Sequence, residues 1–278
     1  MDKINKVAVV TGAGGTLCSE MARDLARQGY KVALIGRTIE KLKIVEEQIL
    51  SAGGIAISIA ADVSNEASIQ EASKIIEEKL GYCCVLINGA GGNQMDALTN
   101  IEEFDERELE NNNDVKGFFN LKMDVFQNVI NINTMGTVIP SFVFGKVMAR
   151  QKKGVIINMA SMNSFRPLTK VGAYGMAKAS VVNFTQWLAT YLAPANIRVN
   201  AIAPGFFLND RSKIIMFNED GSQTNRANNV LGHTPMKRFG EASELIGCMN
   251  WLIDDKAAAF VTGIVVPVDG GFLASSGV

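Results

Sequence analysis

Short apolar runs alternate with amphipathic segments from one end of this chain to the other, and few folds accept that pattern. The runs span residues 6–10, 31–35, 55–61, 84–87, 155–159, 197–203 and 264–268. Runs that stay mostly apolar, without strict alternation, read as strands buried on both faces of a parallel sheet. Between them, Leu17, Met21 and Leu25 recur at helical spacing and stop at Gly29. Ile39, Leu42, Val45 and Ile49 make a second stripe, ended by Gly53-Gly54. Ser64 is placed to cap a third helix carrying Ile69, Ile75 and Leu80. No linker or repeat interrupts the series. It predicts one α/β domain over residues 1–278, a doubly wound parallel sheet of about seven strands with helices on both faces.

Two stretches break the alternation. Residues 93–132 are polar, with nine acids against three bases between Asp96 and Asp124. Residues 206–240 are irregular and hold five bases, three acids and the only histidine, His233. Long irregular segments in such a fold serve as lids, binding loops or subunit contacts. The first is expected as an inserted acidic segment, the second as a substrate lid. A plain solvated helix and a plain surface loop are the bland alternatives.

Composition narrows the function classes. Lys plus Arg number 27 and Asp plus Glu 28, so no charge footprint for nucleic acid or an anionic membrane exists. Cys18, Cys83, Cys84 and Cys248 lack zinc-site spacing and are expected reduced and buried, with no metal bound. The first residues pass into a strand without a signal-peptide core, and no run of about 18 apolar residues suggests a membrane span. A soluble, cytoplasmic protein acting on small molecules is the expectation.

The strand ends carry the chemistry. The first strand runs into Thr11-Gly12-Ala13-Gly14-Gly15-Thr16, with Leu17 in the helix that follows. Glycines there let the backbone approach a phosphate that the helix's free N–H groups can hold. The second strand ends Ile35-Gly36-Arg37-Thr38, with no acid for a ribose 2′-hydroxyl. Arg37 can pair with a 2′-phosphate, which tilts the cofactor from NAD towards NADP; the alternative is a solvated or adenine-stacked arginine. Asp62, followed by Val63, can accept from an adenine amino group, and Asn88-Gly89-Ala90-Gly91-Gly92 lets a cofactor lie close to the backbone.

Tyr174 and Lys178 stand four apart and share a helix face. At about 4 Å and an effective dielectric near 20, their attraction is on the order of 4 kcal/mol. Such a pair is expected to lower the phenol pKa towards neutrality, where it trades a proton with a carbonyl. The spacing alone is common on helix surfaces. Ser161, just past the fifth strand, adds a hydroxyl that can steady an oxyanion, although serines at strand ends often serve as caps.

In order along the chain, the glycine-rich turn at Thr11-Gly12, Asp62, Asn88-Gly89-Ala90-Gly91, Asn133, Ser161, Tyr174, Lys178, residues 198–205 and Asp269-Gly270-Gly271 resemble the short-chain dehydrogenase/reductase family over essentially the whole length. The resemblance implies a Rossmann-type fold, NAD(P)-dependent hydride transfer and a homotetramer. It implies Tyr174 as general acid/base and Lys178 as the residue that lowers its pKa and binds the nicotinamide ribose. Ser161 would position the carbonyl, and Asn133 would support a proton relay to Lys178. The backbone after Pro204-Gly205, with Phe207, would hold the carboxamide. Thr16 and Cys18 depart from the family pattern, standing where its second and third glycines are expected, and Thr16 should restrict the backbone. Gly15 likewise stands where some NADP enzymes carry a basic residue.

Residues 88–93, 161–170, 203–207 and 233–240 resemble a narrower group in that family, the D-mannonate oxidoreductases or fructuronate reductases. A sugar acid needs a cation for its carboxylate and polar groups for its hydroxyls. Arg166, Lys170 and Arg211 are candidate cations, and Asn93, Asn163 and Asn209 candidate polar contacts, beside Ser161 and Tyr174. Arg166 holding its own loop and a solvated Lys170 are the alternatives. A gluconate 5-dehydrogenase, a polyol dehydrogenase and a 3-oxoacyl reductase would keep the same site. A dinucleotide-binding regulator would lose the Tyr or the Lys, and both are present. Helices over 133–150 and 174–192, and the tail 260–278, are the expected subunit contacts.

Overall fold

A computed structural model describes residues 6–110 and 114–275, without the side chains of Asp210 and Arg211. Seven strands, all parallel, form one sheet: β1 (Val7–Thr11), β2 (Lys31–Gly36), β3 (Ile55–Ala60), β4 (Cys83–Asn88), β5 (Gly154–Met159), β6 (Ile197–Pro204) and β7 (Val265–Val268). Their spatial order is β3-β2-β1-β4-β5-β6-β7. The order reverses between β1 and β4, and ligands of open α/β sheets bind at that point, beyond the carboxyl ends of the strands. Thr11 pairs there with Asn88, and Asn88 with Asn158, so three polar residues sit in one row of the sheet.

The helical stripes cover both faces. Buried side chains of α1 (Thr16–Arg27), α2 (Ile39–Ser51) and α8 (Ile246–Ile253) pack one face, with Val10, Leu34, Ile87 and Ile157. Those of α3 (Glu66–Lys79), α4 (Met123–Gln151) and α5 (Gly172–Leu192) pack the other, with Val9, Ile35, Leu86 and Ile156. Apolar burial on both faces is what makes alternation unnecessary in these strands. The cap of α3 is Asn65, whose side chain accepts from Ser68 N at 3.0 Å. Ser64, the expected cap, instead donates to Asp62.

The acidic segment is shorter than expected. Met123 already begins α4, so residues 123–132 belong to a 29-residue helix rather than to the insert. Val125, Phe126, Val129 and Ile130 recur there at helical spacing, but Asp124, Gln127, Asn128 and Asn131 between them made the stretch read as a continuation of the polar segment. The lid region holds two helices, α6 (Asp210–Met216) and α7 (Asn225–His233). Gly240 N donates to Phe206 O at 2.9 Å and Leu208 N to Gly240 O at 3.3 Å, tying the two ends of residues 206–240 together. No helix among the described residues is long and apolar enough to cross a membrane.

Candidate active site

The switch point is built from buried hydrogen bonds. Thr11 Oγ1 accepts from Gly89 N at 3.1 Å and Ala90 N at 3.2 Å, joining the ends of β1 and β4. Asn88 Nδ2 donates to Ser141 Oγ at 2.8 Å and to Asn158 Oδ1 at 2.9 Å; Asn158 donates in turn to Thr185. Thr11 and Asn88 were expected at the cofactor. Thr11 Oγ1 and Asn88 Nδ2 are spent on the protein itself, while Asn88 Oδ1 is buried without a hydrogen-bond partner. Val63 likewise turns its side chain into the core, where α4 meets it at Gly136. The ladder Asn133-Thr137-Ser141 escaped sequence reading, although its four-residue spacing on one helix was visible.

The turn after β1 fits a dinucleotide phosphate. Gly12 has φ +68°, and a Cβ there would lie 2.8 Å from Ala90 N, so only glycine allows this approach. Gly15 caps α1 without a side-chain hydrogen bond, and no acid stands in the first turn. The first amides of α1 are therefore available to an anion, with Gly14, Gly15, Thr16 and Leu17 around them. Thr16 does not restrict the turn as expected: it is already helical, where a β-branched residue needs no special φ. Cys18 fills the space of the missing third glycine, and a Cβ on Gly89 would lie 2.0 Å from its Sγ. Burial pushes this thiol up to about 12.

At the adenosine end, Arg37 is exposed and Gly36 presents no side chain. Asp62 Oδ1 accepts from Ser64 N at 2.9 Å and Ser64 Oγ at 2.6 Å. Those bonds, with Arg37 nearby, hold its carboxyl below the usual range. Gly205 N donates to Val268 O at 2.9 Å, which brings the end of β6 onto β7.

The four expected catalytic residues meet beyond β5. Ser161 is buried and its Oγ accepts from Asn163 N at 3.1 Å. Tyr174 and Lys178 share a face of α5, with the ammonium 5.6 Å from the centre of the phenol ring. Lys178 is only 4% exposed and donates to Met159 O at 2.7 Å. Asn133 Nδ2 donates to Gly92 O at 2.7 Å and Val129 O at 2.8 Å, while its Oδ1 accepts from Gly92 N. Its amide thus clamps the loop after β4.

One electrostatic expectation is reversed. Burial draws Lys178 down to about 8. Desolvation raises Tyr174 above its ordinary value, with the neighbouring Ser161 pulling the other way. In the free protein Tyr174 is a neutral acid.

Two of the candidate sugar-acid cations have partners within the protein. Arg166 donates to the Ser275 carbonyl and fastens the C-terminal segment. Lys170 pairs with Glu102 at 3.5 Å, and its carbonyl accepts from Thr99 N, which docks the acidic segment beside the start of α5. Ala97 of that segment packs with Val129, Ala173 and Tyr174, so the insert walls the catalytic residues. Asn209 accepts from Ser212 N at 3.0 Å, Asn93 from Gln94 N at 3.0 Å, and exposed His233 bonds Asn229 O. Arg211's side chain lies outside the described residues.

The chain belongs to the short-chain dehydrogenases, whose family model matches residues 6–216. It is therefore an NAD(P)-dependent oxidoreductase with a Rossmann-type fold. It is 46% identical over 273 residues to the uncharacterised oxidoreductase UxuB of Bacillus subtilis, covering 98% of this chain and 96% of that protein. A Haemophilus influenzae protein described as a candidate D-mannonate oxidoreductase, solved with NAD bound, superposes with a TM-score of 0.93 at 43% identity, covering 99% of this chain and 97% of that one. A 2-dehydro-3-deoxy-D-gluconate 5-dehydrogenase of Formosa agariphila is 31% identical over 277 residues, covering 99% of this chain and 96% of its own.

Proposed function

We propose that this protein interconverts a sugar-acid ketone and its alcohol, and that the pair is D-fructuronate and D-mannonate. The placement of Ser161, Tyr174 and Lys178 beyond β5 carries the reading. The Haemophilus relative supports the substrate. When bound, the dinucleotide supplies or accepts the hydride. Ser161 and Tyr174 hold the carbonyl oxygen between their hydroxyls. Tyr174, neutral because burial raises its pKa, gives its proton to that oxygen. Lys178, the stronger acid of the two, returns a proton to the tyrosinate. Residues 206–240 close over the substrate, with Arg211, Asn93 and Asn163 as contacts.

The cofactor is placed along Gly12, Gly14, Gly15, Thr16, Leu17, Asp62 and the backbone of 88–90 and 204–207. Arg37 favours NADP, and the NAD held by the Haemophilus relative favours NAD. The proposed assembly is a homotetramer through α4 and α5. Exposed Phe142 lies on α4, while Trp187 and Tyr191 stack at 5.2 Å on α5. A near-ultraviolet absorbance assay with D-mannonate, D-gluconate and D-altronate, each with NAD and NADP, tests the reading. Selective oxidation of D-mannonate is expected, and the cofactor ratio reports on Arg37. Turnover of D-gluconate alone would move the protein to the gluconate 5-dehydrogenases.

A further inference from the structure

Helices α4 and α5 form one face of the molecule, and its two ends are opposite in charge. Each helix joins two neighbouring parallel strands and packs the same side of the sheet, so the two run in the same direction. Their N-terminal ends carry the insert: Ala97 packs against Val129 and Ala173, and Glu102 pairs with Lys170. Their C-terminal ends lie together, with Asn196 Nδ2 donating to Lys152 O at 3.2 Å.

The insert end is acidic and aromatic. Glu103, Glu106 and Glu110 are exposed, and none is in an ion pair among the described residues. Phe104, Phe118 and Phe119 are each more than half exposed and form one cluster, the first two rings centred 6.3 Å and 5.4 Å from the third. The cluster is held in place: Phe119 N donates to Glu108 Oε2 at 2.9 Å and Lys116 N to Asn100 Oδ1 at 2.7 Å. An exposed apolar cluster that the fold fixes marks a contact surface. The other end answers it. Lys146, Arg150 and Lys152 are exposed and likewise outside any ion pair among the described residues. The exposed rings of Trp187 and Tyr191 stand at the same end of α5.

The exposed line of α4 repeats this order within one helix: Asp124, Met135, Phe142, Lys146 and Arg150 run from acid through apolar to base. Turned end for end about Val138, the line sets acid against base and Met135 beside Phe142. A face complementary to itself in this way is what a two-fold contact between identical chains requires. We infer that the insert of one copy seats on the C-terminal ends of α4 and α5 of a second copy. Its carboxylates meet Lys146, Arg150 and Lys152, and its phenyl cluster meets Trp187 and Tyr191. This rests on the proposed assembly through α4 and α5 and gives the insert its part there: charge complementarity at the two ends fixes the direction and register of the contact.

The test reverses the charge at each end. One variant carries Lys146→Glu, Arg150→Glu and Lys152→Glu together, a second carries Glu103→Lys, Glu106→Lys and Glu110→Lys together, and a third carries all of these changes. Light scattering reads the mass, and dinucleotide binding by fluorescence reports whether each variant is folded. The first two are expected at about half the wild-type mass or less, because like charges then meet at every contact. Their equimolar mixture and the third variant are expected to regain the wild-type mass, because opposite charges meet again. Wild-type mass in either of the first two overturns the contact, and so does a mixture that stays small. Where one of the first two loses dinucleotide binding, the third variant decides: wild-type mass supports the contact and a smaller mass overturns it. A wild-type monomer overturns both this contact and the assembly it rests on. Dissociation by Trp187→Glu with unchanged mass in the charge variants overturns this contact alone.

Discussion

Lys178 keeps its ammonium out of water with one carbonyl, that of Met159, as its partner. Its fall from 10.5 to about 8 is worth on the order of 3 kcal/mol. Between those values the folded protein holds fewer protons than the unfolded chain, so this residue makes stability rise with pH across that window. Below about 8 the charge is present in both states and the penalty is complete. Lys178→Met is therefore expected to abolish turnover while leaving the thermal midpoint of the free protein at pH 7 as high as wild type or higher. A calorimetric scan showing a midpoint several degrees lower would mean that the bond to Met159 outweighs the desolvation. The candidate residues were legible because Asn133, Ser161, Tyr174 and Lys178 fall in an ordered set of motifs that resembles the short-chain dehydrogenases; the spacing of Tyr174 and Lys178 alone is common on helix surfaces. Their protonation was not, since it depends on burial that spacing does not encode. The partners of Arg166 and Lys170 were hidden for a related reason: Ser275 and Glu102 are remote in sequence.

Helix α1 and the end of β4 are joined by one shared space. Cys18 occupies it from the helix, and Gly89 leaves it open from the strand end. Gly89→Ala would set a methyl 2.0 Å from Sγ and 3.0 Å from Thr11 O, forcing these elements apart. Overpacking of this kind costs about 1–3 kcal/mol. In a Cys18→Gly background most of that cost should vanish, leaving the contact with Thr11, and urea unfolding of the four proteins measures the coupling. Additive losses would show that the two residues do not share the space. Strands were easy to find at this scale because burial on both faces makes them continuously apolar. The start of α4 was not, because its first turns depend on packing against the docked insert, with Ala97 against Val129.

The assembled molecule follows from what one copy leaves uncovered. Trp187 is 55% and Tyr191 67% exposed on α5, a large apolar face for a chain with balanced charge. Light scattering is expected to give four copies, and Trp187→Glu to shift the mass downward; a wild-type monomer would contradict the proposed contact. The doubly wound architecture was legible from end to end in the apolar alternation, whereas neither uncovered helix face nor docked insert has a short-range signature. At the switch point of that architecture, the account rests on one proton carried by Tyr174. The most direct measurement is formation of reduced nicotinamide from D-mannonate by wild type and Tyr174→Phe, beside dinucleotide binding by fluorescence. The account predicts turnover in wild type, none above background in the variant, and nearly equal dinucleotide binding in both. Retained turnover in Tyr174→Phe would contradict it.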